Sequence, residues 1–153
     1  MRIRIAEEKD AEAACHALRQ SIEKLCVADH ENDAETLDQW LANKTPDNVR
    51  TWIDAPDVTV MVAEQDGAIV GVGAVSTSGD ILLNYVSPQA RFQGVSKAVL
   101  TAMEEHLRQK GHDRSRLEST RTAHRFYRAA GYQDVGEAKI RGIRSSQPMV
   151  KTL

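Results

Sequence analysis

Arg91, Gly94 and Ser96 are the residues whose types and spacing point most directly to chemistry. They lie in the stretch Pro88-Gln89-Ala90-Arg91-Phe92-Gln93-Gly94-Val95-Ser96-Lys97-Ala98. The apolar run Ile81-Leu82-Leu83-Asn84-Tyr85-Val86 precedes it, and an amphipathic segment from Val95 to Lys110 follows. That order predicts a strand entering a short loop that becomes a helix N-terminus. The first turn of a helix leaves backbone N–H groups without partners and carries partial positive charge. Such a turn is ready to receive a phosphate. Arg91 adds a full charge, and Gly94 lets a ligand come close to the backbone. The bland alternative is a strand–loop–helix turn with a surface arginine.

The elements that must position this loop are readable along the chain. Residues 2–6 alternate polar and apolar types and predict an opening strand. Residues 7–28 predict an amphipathic helix whose stripe is Ala11, Ala14, Leu18, Ile22 and Leu25. A second helix is expected over 33–43, with Leu37, Trp40 and Leu41 facing inward. Pro46 starts another helical turn that runs through Trp52 and Ile53. The runs 58–64 and 68–76 are β-rich, and Gln65-Asp66-Gly67 between them is a hairpin signal. A third strand is expected over 80–86, after the Ser78-Gly79 turn. A helix over 94–110 stops at Gly111, and a short strand near 116–119 leads to a helix over 122–129. Gly131 ends that helix, 132–135 begins another strand, and 148–152 closes the sheet as an edge strand. The fold class expected is α/β, a mixed, mostly antiparallel central sheet flanked by helices, in one domain over residues 1–153.

Composition excludes several functions. The chain has 153 residues, 41% hydrophobic and 27% charged, so a real core is expected rather than disorder. No apolar run approaches the ~20 residues that a membrane span needs. Met1-Arg2-Ile3-Arg4-Ile5 leads into acidic residues, so no secretory signal is expected. Cys15 and Cys26 fall on one predicted helix too far apart to bridge, so free thiols and a cytoplasmic location are expected. Residues 7–38 carry ten acidic and three basic side chains, whereas 91–128 carry nine basic and four acidic. The basic half holds the loop and suits an anionic ligand. With 5% aromatic residues and a pI near 6.2, nucleic acid is not an expected partner. The five His residues are scattered and the cysteines lack ligand spacing, so no metal site is expected.

The loop resembles the pyrophosphate-binding signature of the Gcn5-related N-acetyltransferases, Gln/Arg-x-x-Gly-x-Gly/Ala, with Ser96 at the last small position. The stretch from Leu117 to Tyr132 is similar to that family's second signature, Asn-x-x-Ala-x-x-hydrophobic-Tyr-x-x-x-Gly-Phe/Tyr. Here Thr120 stands at the Asn position, and Ala123, Phe126, Tyr127, Gly131 and Tyr132 match. The resemblance implies the acyl-CoA N-acyltransferase fold and acetyl transfer from acetyl-CoA, as co-substrate, to an amine on a small molecule or peptide. Tyr127 would protonate the departing thiolate. Tyr85 and Val86 would pair with the pantetheine arm, beside a strand bulge that opens the cofactor slot. The backbone N–H groups of Phe92, Gln93, Gly94, Val95, Ser96 and Lys97 would hold the pyrophosphate, with Arg91 in support and Thr120 at the second motif.

The general base stays open among Asp80, Glu118 and a water chain, because mid-strand Asn84 cannot take a proton. His30 is read as a loop histidine and His124 as solvent-facing. Asp29, Glu31 and Asp33 make the region near the first two helices acidic, which would favour a cationic amine. Family members are often dimers, which leaves monomer and homodimer both open. A non-catalytic acyl-CoA sensor is the alternative, motivated by Ser96 and by the missing strand carboxylate. A third reading is an interaction module that keeps only the fold.

Overall fold

The computed structural model describes all 153 residues, and the two periodicities of the sequence resolve into two sheets. In order these are β1 (Arg2–Ile5), α1 (Ala11–Leu25), α2 (Val27–His30), α3 (Ala34–Leu41), α4 (Pro46–Asp54), β2 (Val58–Gln65), β3 (Ala68–Ser76) and β4 (Ile81–Val86). Then come α5 (Val95–Gln109), β5 (Arg114–Ser119), α6 (His124–Ala129), β6 (Gln133–Asp134), β7 (Lys139–Arg141) and β8 (Arg144–Thr152). One sheet has the order β1-β2-β3-β4 and is antiparallel throughout. The other has the order β5-β8-β6, with β7 also paired to β8. No helix is long and apolar enough to cross a membrane.

Alternation along β2 sorts the core into two layers. Val60 and Val62 pack with Ala14 and Leu18 of α1 and Val49 of α4, while Met61 and Ala63 pack with Val95 and Val99 of α5. Side chains of successive strand residues point to opposite faces, so one strand serves both layers. The seat of α5 depends on a bare strand. A Cβ on Gly73 would lie 2.5 Å from Val99 Cγ1 and 2.8 Å from Met103 Sδ, inside van der Waals contact. A Cβ on Gly71 would likewise lie 2.6 Å from Val95 Cγ1, so the N-terminal half of α5 is held close over β3.

Buried polar groups fix the rest. Glu104 of α5 receives Lys151 Nζ at 3.0 Å and the Tyr132 hydroxyl at 2.8 Å, and Ser115 Oγ lies 2.7 Å from that hydroxyl. This network ties α5 to the second sheet, so Tyr132 of the second motif acts as a structural post. A buried carboxylate needs partners of this kind.

Several expected boundaries shift. The helix expected over 7–28 begins as a short 3-10 turn at Glu8–Asp10 and breaks at Cys26. Ala11, Ala14, Leu18 and Ile22 are buried, but Leu25 is only half-buried and lines a cleft. The closing strand is longer than expected and is not an edge: β8 lies between β5 and β6. Its nine residues take β5 on one side and both β6 and β7 on the other. The β7–β8 hairpin itself, turning at Gly142 (φ +61°), carried no strand signal in a stretch rich in charge. Cys15 and Cys26 are both buried and free.

Candidate active site

The site lies where the two sheets part. β4 pairs with β3 in register Val72↔Tyr85 and Ala74↔Leu83, then Val75↔Ile81, which leaves Leu82 as a bulge. The single bridge between the sheets is the parallel contact Asp80↔Arg116, and the strands diverge beyond it. Beyond that point the outer edge of β4 has no strand partner. A bulge bends a strand and sharpens its twist, which is what opens the gap.

A cleft of about 450 Å³ enters this gap from one side. Tyr85, Val86, Arg91, Phe92, Gly94, Val95, Ser96 and Lys97 line it, and so do Thr120 and Tyr127. Of the residues singled out in the sequence, only Gln93 stands off, exposed, with its side chain reaching Gln89 O at 3.4 Å. The loop before α5 takes left-handed backbone at both Phe92 (φ +65°) and Gly94 (φ +80°). Glycine adopts that geometry freely, whereas a phenylalanine there is held against its preference. Phe92 is 89% exposed, with the Arg91 guanidinium 4.5 Å from its ring centre.

The consequence is a run of backbone donors. The N–H groups from Phe92 to Lys97, six in succession, donate to no protein acceptor, and the first closing bond of α5 is Ala98 N–H to Gly94 O. Ser96 fits at the third small position: it is half-buried, and its carbonyl accepts from Asn84 Nδ2 at 3.4 Å. Such an array at the N-terminus of a 15-residue helix suits an anion.

Opposite the loop, α6 presents Tyr127. The phenol is buried among Phe126 and Tyr132, with ring centres at 5.2 and 5.6 Å, and the Asn84 amide lies against it. Burial pushes its pKa up to about 12, and the Asn84 amide partly offsets this. Asn84 Oδ1 is buried without a partner. Thr120 Oγ1 accepts from Ala123 N–H at 3.1 Å and shapes the turn into α6. Tyr85 lines the same gap, and burial raises its phenol pKa strongly.

The turn before α6 is held by a residue whose sequence context suggests the surface. Asp29 is 1% exposed and accepts from Arg121 N–H at 2.7 Å, Thr122 N–H at 3.2 Å and the Thr122 hydroxyl at 2.5 Å. Its neighbour His30 is also fully buried. Its Nε2 lies 3.0 Å from Ile22 O and its Nδ1 accepts from Asn32 N–H, which fixes the Nε2–H tautomer. His30 is a plug for the helix break, not a loop histidine, and Asp33 is the N-cap of α3. The charge of Asp29 is thus taken up inside the fold, while Glu31 and Asp33 stay exposed. His124 bonds Asp134 at 2.8 Å, outside both clefts.

A second cleft of about 700 Å³ enters the gap from the other side and shares Leu83, Tyr85, Glu118 and Thr120 with the first. Both carboxylates considered as bases stand here, each engaged by a cation. Asp80 pairs with Arg116 at 3.0 Å, and Glu118 pairs with Lys139. Arg144 and Lys44 also line this cleft beside Trp40, and neither was singled out as a functional cation from sequence. The only signal was the density of charge in Lys139-Ile140-Arg141-Gly142-Ile143-Arg144. Trp52 packs into the core beside α1. No group of three or more His, Cys, Asp and Glu side chains gathers where a metal ion would be held.

The family model described as the acetyltransferase (GNAT) domain matches residues 10–153. An IAA acetyltransferase from Azospirillum brasilense is 29% identical over 117 residues, covering 67% of this chain and 75% of that protein. A GCN5-related N-acetyltransferase from Rhodopseudomonas palustris has a TM-score of 0.88 at 19% identity, covering 99% of this chain and 95% of that one. PaiA N-acetyltransferase from Thermoplasma acidophilum, solved in complex with coenzyme A, has a TM-score of 0.84 at 20% identity, with both chains covered in full (100%). At these identities the structural likeness speaks for a shared fold.

Proposed function

This chain belongs to the GNAT acetyltransferase family, and from that premise we propose that it moves an acetyl group from acetyl-CoA to a primary amine by direct attack. The observation that carries the reading is the run of six free N–H groups, Phe92 to Lys97, bordering the cleft that Tyr127 closes from the other side. The coenzyme A in the PaiA structure supports the choice of co-substrate.

Acetyl-CoA supplies an activated thioester carbonyl. The first turn of α5 would hold its pyrophosphate through those N–H groups, while Arg91 and the exposed Lys97 add full charge. The free edge of β4 at Tyr85 and Val86 would take the pantetheine amides as an added strand. Asn84 Oδ1, buried and without a partner, offers an acceptor at the same place. The acceptor amine must be neutral to attack, so one proton leaves its nitrogen. Asp80 and Glu118 are already held by Arg116 and Lys139, and water in the open second cleft is the base route we favour. The amine nitrogen forms the new C–N bond as the C–S bond breaks and gives up a second proton to water, while Tyr127 gives its phenolic proton to the sulfur and regains one from solvent. A phenol whose pKa is pushed up to about 12 stays protonated at neutral pH and is therefore competent to donate. Ser96 keeps its N–H in the free run and its side chain half-buried, which supports the catalytic reading over a sensor without turnover.

Calorimetric titration tests the reading first, with desulfo-CoA and adenosine as controls, followed by thiol release with a panel of amines. Micromolar binding of acetyl-CoA but not adenosine, and thiol formed one-for-one with acetylated amine, are expected. No heat at millimolar acetyl-CoA would overturn the assignment of the loop.

A further inference from the structure

The second cleft carries a strong charge of one sign. Arg116 and Lys139 there are matched by Asp80 and Glu118, but four further cations, Lys44, Arg114, Arg141 and Arg144, have no carboxylate partner. Arg144 is the most telling of them. Its guanidinium lies flat on Trp40, 3.6 Å from the ring centre, half-buried, and none of its N–H groups finds an acceptor. Stacking satisfies the face of the group and leaves its edge, a fork of donors shaped for an oxyanion, without one. Asp29, whose charge Arg144 feels across the helix break, is already taken up by Arg121 and Thr122. Lys44, half-buried beside it, makes a single bond to Asn43 Oδ1 at 2.8 Å. Burial and the Arg144 charge both push the Lys44 ammonium down, so two like charges are held together against repulsion.

Building on the acetyl-transfer reading above, we propose that the acceptor is an amine bearing an oxyanion, a carboxylate or a phosphate, held by Arg144 and Lys44 in the second cleft. Both oxyanions present two or more oxygens to a planar fork, and Trp40 fixes the plane of that fork. The amine end then reaches the strand gap through Tyr85, Glu118 and Thr120, which border both clefts. The surrounding positive charge also disfavours an ammonium and so favours the neutral amine that must attack. Polyamines and aminoglycosides, which are cationic throughout, are the substrates this cleft repels.

The test uses matched acceptors with the protein and acetyl-CoA: phenylalanine against phenethylamine, tyrosine against tyramine, phosphoethanolamine against ethanolamine, and spermidine. The acid of each pair is expected to show at least about tenfold higher kcat/KM. Preference for phosphoethanolamine or for the amino acids says which oxyanion is meant. R144Q is expected to lower kcat/KM for acids about tenfold to hundredfold through KM, compressing the acid-to-amine ratio toward one. R144K, checked like R144Q for an unchanged melting temperature, should recover only part, because it keeps the charge but not the fork. Equal or better use of the decarboxylated amines or of spermidine overturns the inference while leaving acetyl transfer standing. So does an R144Q loss that falls equally on both members of a pair. If no amine releases thiol, saturation-transfer NMR of the same acids decides: Arg144-dependent binding keeps the anion site and removes transfer, and its absence removes the site.

Discussion

Replacing Asp29 with alanine removes one carboxylate that holds two distant parts of the chain together. It accepts three hydrogen bonds, from Arg121 N–H, Thr122 N–H and Thr122 Oγ1, at 2.7, 3.2 and 2.5 Å. A bond to a charged acceptor contributes about 1.5–3 kcal/mol net. Arg121 is exposed and Thr122 half-exposed, so water can reach part of what is freed, and each of the three bonds counts for a little less than the low end of that range, about 1–1.3 kcal/mol. The expected loss is about 3–4 kcal/mol. With a urea m-value of about 2 kcal/mol/M, the midpoint falls by about 1.5–2 M. D29N keeps one oxygen but turns its amide N–H groups toward either Arg121 N–H or the two Thr122 donors, so it should recover only part of the loss. Thr120 lies in the same turn and Tyr127 on the helix that it starts, so kcat for thiol release should fall in D29A well below its melting range. The assay is urea denaturation followed by fluorescence, paired with initial rates at low temperature. A D29A loss below about 1 kcal/mol, with kcat intact, would mean that the turn holds itself and the anchoring argument is wrong.

Further outcomes follow from other features. Y127F should lower kcat about 100-fold with little change in the acetyl-CoA KM, as for loss of a positioned proton donor. Since the Tyr127 phenol loses its proton only near its raised value of about 12, the wild-type rate should rise as the acceptor amine deprotonates and show no falling limb below about pH 11. A limb near pH 9 that vanishes in Y127F would refute the burial argument. G73A forces a methyl against Val99 and Met103 and should cost about 1–3 kcal/mol, much of it restored in G73A/V99A, as read by thermal melting. R91E should weaken coenzyme A binding by tenfold or more at low salt, with a smaller difference at about 0.5 M, as read by calorimetry. An unchanged affinity would remove Arg91 from the anion site.

What was legible in the sequence was what is settled over short distances. The Arg91–Lys97 loop, the Gln65-Asp66-Gly67 hairpin and the stop at Gly131 each follow from a few adjacent residue types, and each stands where expected. The second motif gave Tyr127 a place, and the structure adds that its companion Tyr132 supports the Glu104–Lys151 pair. Polar residues whose partners lie far along the chain were misread. Asp29 and His30 look like surface residues because nothing nearby announces Thr122 or the carbonyl of Ile22. Arg144 was passed over because its meaning depends on Trp40, and the sequence gives no sign that the two meet. β8 was read as an edge because pairing on both sides is a property of the assembled sheet.

The parting of the sheets also bears on how the molecule keeps company with its own kind. An unpaired strand edge is a template on which a foreign strand can add, and chains that carry one on the outside tend to stick together. Here the inner edges of β4 and β5 are left open on purpose of the fold's geometry, joined only at Asp80 and Arg116. They face one another across a recess instead of facing outward, and the loop before α5 and the β7–β8 hairpin flank its two mouths. The adhesive edges that make a slot for a slender amide-bearing guest are thereby turned toward one another, by the same divergence that shapes the site.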